Sequence, residues 1–394
     1  MKKTDSPAPK RLVPEFEEKN AVLYNAARNP VTISLDQSTT IDLTYLGWPT
    51  ICRGDGDTLY AVASLRIGHV DPFGATAFFV SEDGGKTWSA PRIINDTPMD
   101  DRDTGILYLG NGRILVSFFT REIRDFLPGG IFDFMFEQAT EAQCYAKLRQ
   151  WYRTPKSEIL EGERYWMISS DDYGQTWSAP YNVPGCNPHG PTQANDGTIL
   201  QGHVDITQGG CLIYHSTDGG RTWEHRTTAP LKPESETCYF SESYVIQLKN
   251  GKYVLVVRSG DFADDDNRLG SFISFSDDGY TFTVGTRIEG VIGAPPHLLE
   301  LSNGALLLTY TYRGKEARRG IRGRVSYDGG HTWDEEMVLS EVPDGCYPGE
   351  VGYPSTAELD DGTLITIYYQ PQSSDEILRP SVMYTRWKLV ESAE

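Results

Sequence analysis

The chain has no run of about 18 apolar residues, no Cys-x-x-Cys pair, and too few basic residues to balance its acids. The first absence excludes a transmembrane helix, which needs such a run to cross the hydrocarbon core. With 36 Lys and Arg against 55 Asp and Glu, the formal charge is −19. General binding to nucleic acid or to an anionic membrane, which requires a basic surface to displace counterions, is therefore not expected. Six cysteines at 52, 144, 186, 211, 238 and 346 are spread too widely for a zinc knuckle or a disulfide framework, so reduced thiols are expected. The opening MKKTDSPAPKRL has no apolar stretch behind its basic residues and does not read as a secretory signal, which with the thiols points to the cytoplasm. There is no HExxH, Walker loop or dinucleotide glycine fingerprint, so neither a metal nor a nucleotide cofactor is expected.

What is present is repetition. The pattern Ser-x-Asp-x-Gly-x-Thr-Trp occurs as SEDGGKTW (81–88), SDDYGQTW (170–177), STDGGRTW (216–223) and SYDGGHTW (326–333), with a degenerate copy FSDDGYTF (275–282). Its residue types suit a tight turn: Asp accepts from backbone amides, Gly supplies positive φ and Trp anchors beneath. A second repeat joins two apolar stretches through a polar glycine turn, as in LYLGNGRILVSFF and VIQLKNGKYVLVV, and reads as a β-hairpin. Its turn glycines, 56, 112, 197, 251, 304 and 362, are separated by 56, 85, 54, 53 and 58 residues.

A length of 394 residues would ordinarily suggest two or three domains, but a regular period overrides that division. Six units, each a hairpin followed by a second strand pair closed by the Asp turn, predict an all-β fold. Its architecture is a six-bladed β-propeller of four-stranded antiparallel blades. Residues 1–29 read as an N-terminal extension and 30–390 as the propeller. The last unit lacks a fourth strand, and PVTISL (30–35) is the expected donor closing the ring. An insertion at about 122–163 enlarges blade 2. Phe132, Phe136, Ala139 and Tyr145 follow PGG at helical spacing and predict a helix over 131–152, ending before Pro155.

In such a ring, residues just before each first strand and just after each second strand converge on one face. The first set contains Trp48, Arg102, Asp103, His189, Glu242, His297 and Tyr353. The second contains Arg66, His69, Asp71, Arg121, His203, Asp205, Arg258, Arg313, Arg319 and Arg322. Arginines focused into one cleft of an acidic protein are suited to holding an anion. The Asp boxes lie on peripheral turns and are read as scaffold.

These Asp boxes and rim residues resemble the sialidase (neuraminidase) superfamily over roughly 45–390. The resemblance implies a six-bladed propeller that hydrolyses a terminal sugar with retention, using a tyrosine nucleophile assisted by a glutamate, an aspartate acid/base and three arginines on the substrate carboxylate. Residue by residue it implies Tyr353 in GYPSTAELDDGT as nucleophile, Glu242 in SESYVIQL as its base, and Asp71, five residues after Arg66 in SLRIGHVD, as acid/base. Arg258 in LVVRSG matches the second clamp arginine, and Arg319, with Arg322 competing in GIRGRVS, matches the third. Arg66, His69, Arg102, Asp103, His189 and His297 complete the expected substrate-binding set.

One position departs from the pattern. Where the family opens its first blade with Arg-Ile-Pro, this chain has Gly47-Trp48-Pro49. A carboxylate clamp without that arginine loses a charge-assisted pair of about 1.5–3 kcal/mol. The expected partner is thus a carbohydrate, anionic or otherwise unusual, cleaved by an exo-acting, sialidase-like glycoside hydrolase. A non-catalytic glycan-binding propeller and a polysaccharide lyase on the same scaffold are the alternatives.

Overall fold

In the computed structural model, which describes residues 11–121, 139–155, 157, 164–261, 270–376 and 378–392, six four-stranded antiparallel sheets form the blades of a propeller. Five of the sheets follow chain order from the axis outward, and the sixth does so for its three inner strands. Blade 4, for instance, runs Cys238–Gln247, Tyr253–Asp261, Gly270–Ser276 and Thr286–Arg287. All six hairpin glycines inferred from the repeat have left-handed φ, between +60° and +90°, as tight turns between inner strands require. The six cysteines are free thiols.

Ring closure comes from the N-terminus, but through a different segment from the one expected. Leu12–Tyr24 pairs antiparallel with Ser381–Glu391 and completes blade 6, with Leu12 opposite Glu391 and Phe16 opposite Trp387. Residues 30–35 do not donate: Val31–Ser34 pairs locally with Thr40–Leu43. That hairpin closes around Asp36, whose carboxylate accepts the amides of Ser38 at 2.9 Å and Thr39 at 2.8 Å. A short loop loses little entropy on closure, so the four-residue strand finds its nearest partner, while the 13-residue Leu12–Tyr24 spans the full edge of the last blade.

Apolar packing is organised between blades. Tyr60, Val62 and Phe78 of blade 1 meet Ile106, Val116 and Phe118 of blade 2 in one cluster. Comparable clusters join the other neighbours, the one between blades 6 and 1 containing Ile365, Ile367, Val382 and Tyr384 against Leu59, Ala61 and Phe79. The Asp boxes add a polar tie. In the first, Ser81 Oγ donates to Asp83 at 2.9 Å and accepts the Gly85 amide at 2.8 Å, while Asp83 accepts the Thr87 amide at 2.9 Å. An arginine from the preceding blade then donates to a glycine carbonyl of the box. Arg113 reaches Gly219 at 2.8 Å and Arg226 reaches Gly279 at 2.9 Å, and Arg92 with Gly174 and Arg386 with Gly84 repeat the contact.

The described part of the insertion contains one helix, α1 (Glu141–Arg153), shorter than the expected 131–152; residues 131–138 lie outside the described residues. Its start is set by a capping box between Thr140 and Gln143. The face turned to the propeller is not the Tyr145 stripe, since Tyr145 is exposed, but the one carrying Gln143, Ala146 and Lys147. Gln143 donates to the Asp42 carbonyl at 3.1 Å and Gln150 to the Pro98 carbonyl at 3.1 Å. Polar contacts to the N-terminal hairpin and to blade 1 thus hold it.

Deleting residues 1–24 uncovers the Ser381–Glu391 edge and Trp387. The shortened chain is expected either to lose its cooperative transition or to melt more than about 10 °C lower by calorimetry. An unchanged melting temperature would refute this closure.

Candidate active site

Five of the six axial strands are kinked where they enter one face. The ladder register breaks between Gly47 and Thr50, Arg102 and Gly105, Ser241 and Ser243, Gly293 and Pro296, and Gly352 and Ser355. A bulge of this kind re-aims a side chain out of the sheet. The residues released are Trp48, Asp103, Glu242 and Tyr353, together with the Ala294-Pro295 pair. Trp48, Asp103 and Tyr353 have φ of +51°, +47° and +56°, a region that costs non-glycine residues energy.

Four of these side chains line a pocket of about 480 Å³. Tyr353 and Glu242 meet within it: the phenol donates to Glu242 Oε1 in a short hydrogen bond. One guanidinium nitrogen of Arg258 lies 2.9 Å from both Glu242 oxygens and 3.4 Å from the Tyr353 oxygen. Burial, reinforced by Glu242 and Asp103, pushes the Tyr353 phenol well up, so it is protonated at neutral pH. For Arg258, burial works against the charge, but Glu242 and Tyr353 outweigh it and raise the pKa.

The walls carry His69, Arg102, Arg121, Arg313 and Tyr369. Arg102 lies 4.7 Å from the Trp48 ring centroid and 3.1 Å from Asp100. The Asp103 carboxyl is pushed up to about 6, chiefly by burial, with Arg102 acting in the opposite direction. His69 Nδ1 is 3.0 Å from Glu350, a buried carboxylate that also accepts from the Tyr45 hydroxyl at 2.6 Å. Tyr45 occupies the corner left by the missing arginine: a Cβ added at Gly47 would lie 2.7 Å from its ring.

Several residues expected at the site are elsewhere. Asp71 has no exposed surface; it pairs with Lys147 of α1 at 2.8 Å and accepts the amides of Gly68 at 3.1 Å and Phe73 at 2.9 Å. Arg66 is buried and is not among the residues lining the pocket; it pairs with Asp100 at 2.6 Å and donates to the His69 carbonyl at 3.1 Å. Arg322 points away from the axis, 3.2 Å from Glu336 and 2.9 Å from the Ser340 carbonyl. Arg319 is half-buried near Arg313, which lowers its pKa after burial, yet it is Arg313 that lines the pocket. Placement at or just past the end of a second strand, which Arg121 shares, identifies Arg313; spacing from the Asp box did not. Glu350 and Tyr369 carried no motif.

His189 and His297 lie deeper, with ring centroids 5.1 Å apart, and line a cavity of about 470 Å³. Both His189 ring nitrogens lack a hydrogen-bond partner among the described residues. Burial lowers His297 to about 3, and burial followed by His297 lowers His189. Among the described residues, no three His, Cys, Asp or Glu side chains are grouped to hold a metal.

The BNR repeat-like domain model matches residues 142–366, and the BNR/Asp-box repeat matches 79–90. The chain belongs to the BNR-repeat propellers of the sialidase superfamily. A sialidase of Micromonospora viridifaciens is 30% identical over 200 residues, covering 48% of this chain and 27% of that protein. A Vibrio cholerae sialidase is 26% identical over 235 residues, covering 49% and 29%. The matched regions span less than a third of these relatives' length. Among solved structures, a Dyadobacter fermentans protein of unknown function superposes with a TM-score of 0.70 at 20% identity, over 97% of this chain and 100% of that one. The intramolecular trans-sialidase of Ruminococcus gnavus gives 0.62 at 14% identity, over 93% and 97%. At such identities these likenesses concern the fold.

Two predictions follow from the buried charges. Lys147→Met leaves Asp71 without its cation and is expected to lose about 3–5 kcal/mol of unfolding free energy, most of it recovered by adding Asp71→Leu; denaturant titration of both variants checks this. His297, depressed in the folded state and ordinary when unfolded, makes stability fall as pH drops from about 6.5 toward 3, by roughly 2 kcal/mol at pH 5. His297→Gln should remove that increment between unfolding curves at pH 7.5 and 5.

Proposed function

We propose that this propeller is an exo-acting glycoside hydrolase of the sialidase type, working with retention on a terminal acidic or modified sugar. The observation that carries the reading is the hydrogen bond from Tyr353 to Glu242, with Arg258 against both. Tyr353 attacks the anomeric carbon while Glu242 accepts the phenolic proton, and the neutral nucleophile avoids repulsion by an acidic sugar. The resulting glycosyl-tyrosine ether is then cleaved by water with the proton returned. Removing the proton as the C–O bond forms is essential here, because burial disfavours a free phenolate.

The sugar's charge is met by Arg102, Arg121, Arg258 and Arg313, all of which line the pocket. The corner at Gly47 offers a tyrosine and an ionised glutamate instead of an arginine. The preferred sugar is therefore one whose anionic group is held by the arginines of the walls, with none at the Gly47 corner. Homologous proteins named sialidases support the reaction class.

The burial of Asp71 under Lys147 favours a second reading, a glycan-binding propeller without turnover. Aryl sialosides and aryl glucuronides separate the two. Turnover that falls by at least about 10³-fold in Tyr353→Phe, with binding retained, is the expected result. Saturable binding without turnover of any glycoside would select the binding protein, and an ultraviolet-absorbing unsaturated product would select a lyase.

A further inference from the structure

Expulsion of a sugar alcohol requires a proton for the departing oxygen, and the acid must open onto the pocket. Most carboxyls near the site are already committed. Asp71 is sealed in its ion pair with Lys147. Glu242 is held by Tyr353 and Arg258, and Glu350 by Tyr45 and His69. Asp100 is fixed between Arg66 and Arg102, and Asp101 accepts from Asn95 at 2.8 Å and from the Thr97 amide at 2.8 Å.

Asp103 alone among these lines the pocket without such a commitment. Its Oδ1 has no hydrogen-bond partner among the described residues, although the residue is buried in the wall. It stands on the blade 2 bulge, at the position where Glu242 stands in blade 4 and Tyr353 in blade 6. Building on the hydrolase reading above, we propose that Asp103 is the general acid/base of this site, in place of Asp71.

In the first step the Asp103 O–H bond breaks, its proton goes to the glycosidic oxygen, and the electrons of the severed anomeric C–O bond stay with the leaving alcohol. Tyr353 supplies the new C–O bond and its proton passes to Glu242. In the second step the Asp103 carboxylate takes a proton from the attacking water. The water oxygen bonds the anomeric carbon, the tyrosyl oxygen leaves with that C–O electron pair, and Glu242 returns its proton.

The surroundings set the working pH. Arg102 and Arg66 favour the carboxylate, while Glu242 and Asp100, with burial, favour the acid. The Tyr353 and Tyr369 phenols and the Cys186 thiol also face Asp103 and stay neutral because burial raises all three. With the Asp103 carboxyl at about 6, the acid form is lost as pH rises through that value.

The test uses the full chain and aryl sialosides and aryl glucuronides whose phenols span a range of acidity. For wild type, kcat/KM on the least acidic phenol should fall above about pH 6, and this limb should flatten for the most activated phenol, which leaves without protonation. Asp103→Asn should lose about 10²–10⁴-fold on the former and less than about tenfold on the latter. Equal loss across all phenols, or leaving-group dependence that tracks His69→Gln instead, overturns the assignment while leaving the hydrolase intact. Absence of wild-type turnover overturns both. Carbon-13 titration of the Asp103 carboxyl, identified by its loss in Asp103→Asn, needs no substrate: a midpoint near 6 is expected, and one near the ordinary value of about 3.9 overturns the proposal.

Discussion

The backbone ladder between Leu12–Tyr24 and Ser381–Glu391 is the constraint on which the rest of the molecule depends. Apolar packing joins each propeller blade to its neighbours, so the position of any one blade relative to the axis is fixed largely by the ring as a whole. Tyr353 comes from blade 6, Glu242 from blade 4 and Asp103 from blade 2. Their separation is therefore set by accumulated blade-to-blade packing and not by any local turn. An open ring would leave the other five sheets intact while the distance between Tyr353 and Glu242 became free.

Arginine performs two distinct jobs in this acidic chain. At the periphery, Arg92, Arg113, Arg226 and Arg386 donate to carbonyls of the neighbouring Asp box, where a planar fork can bridge two sheets. At the axis, Arg102, Arg121, Arg258 and Arg313 surround a pocket whose acids are Asp103 and Glu242. Arg66 belongs to neither group; it is a buried counter-charge for Asp100. Net charge conceals this division, because the same residue type neutralises, bridges or binds according to the strand end that carries it.

The periodic features were legible in the sequence because each is encoded locally. The hairpin glycines, the Asp boxes and the strand-start positions of Tyr353 and Glu242 all follow from short patterns at a regular spacing. What escaped depends on distant partners. Leu12–Tyr24, as an outermost strand, leaves much of both faces to solvent, and its acidic alternation EFEEKN does not look like the edge of a core. Nothing around Asp71 announces that Lys147, from an insertion in the next blade, will cover it. Arg319 and Arg322 competed for one place by spacing alone, and Glu336, which holds Arg322 away from the axis, carried no signal for that in the sequence.

The strand-entry bulges have a consequence for how this scaffold can change. At Trp48, Asp103, Glu242 and Tyr353 the side chain is delivered by a residue that stands outside the hydrogen-bond register of its strand. Exchanging such a residue edits the lining of the cleft one spoke at a time while the neighbouring rungs keep their partners. The scaffold thus works as a socket with interchangeable pins, and two chains can share every turn and blade yet present different chemistry at the hub. Gly47 marks the edge of such a socket: it is the last paired rung before the Trp48 bulge, opposite Ser64, and the Tyr45 ring crowds the space beside it.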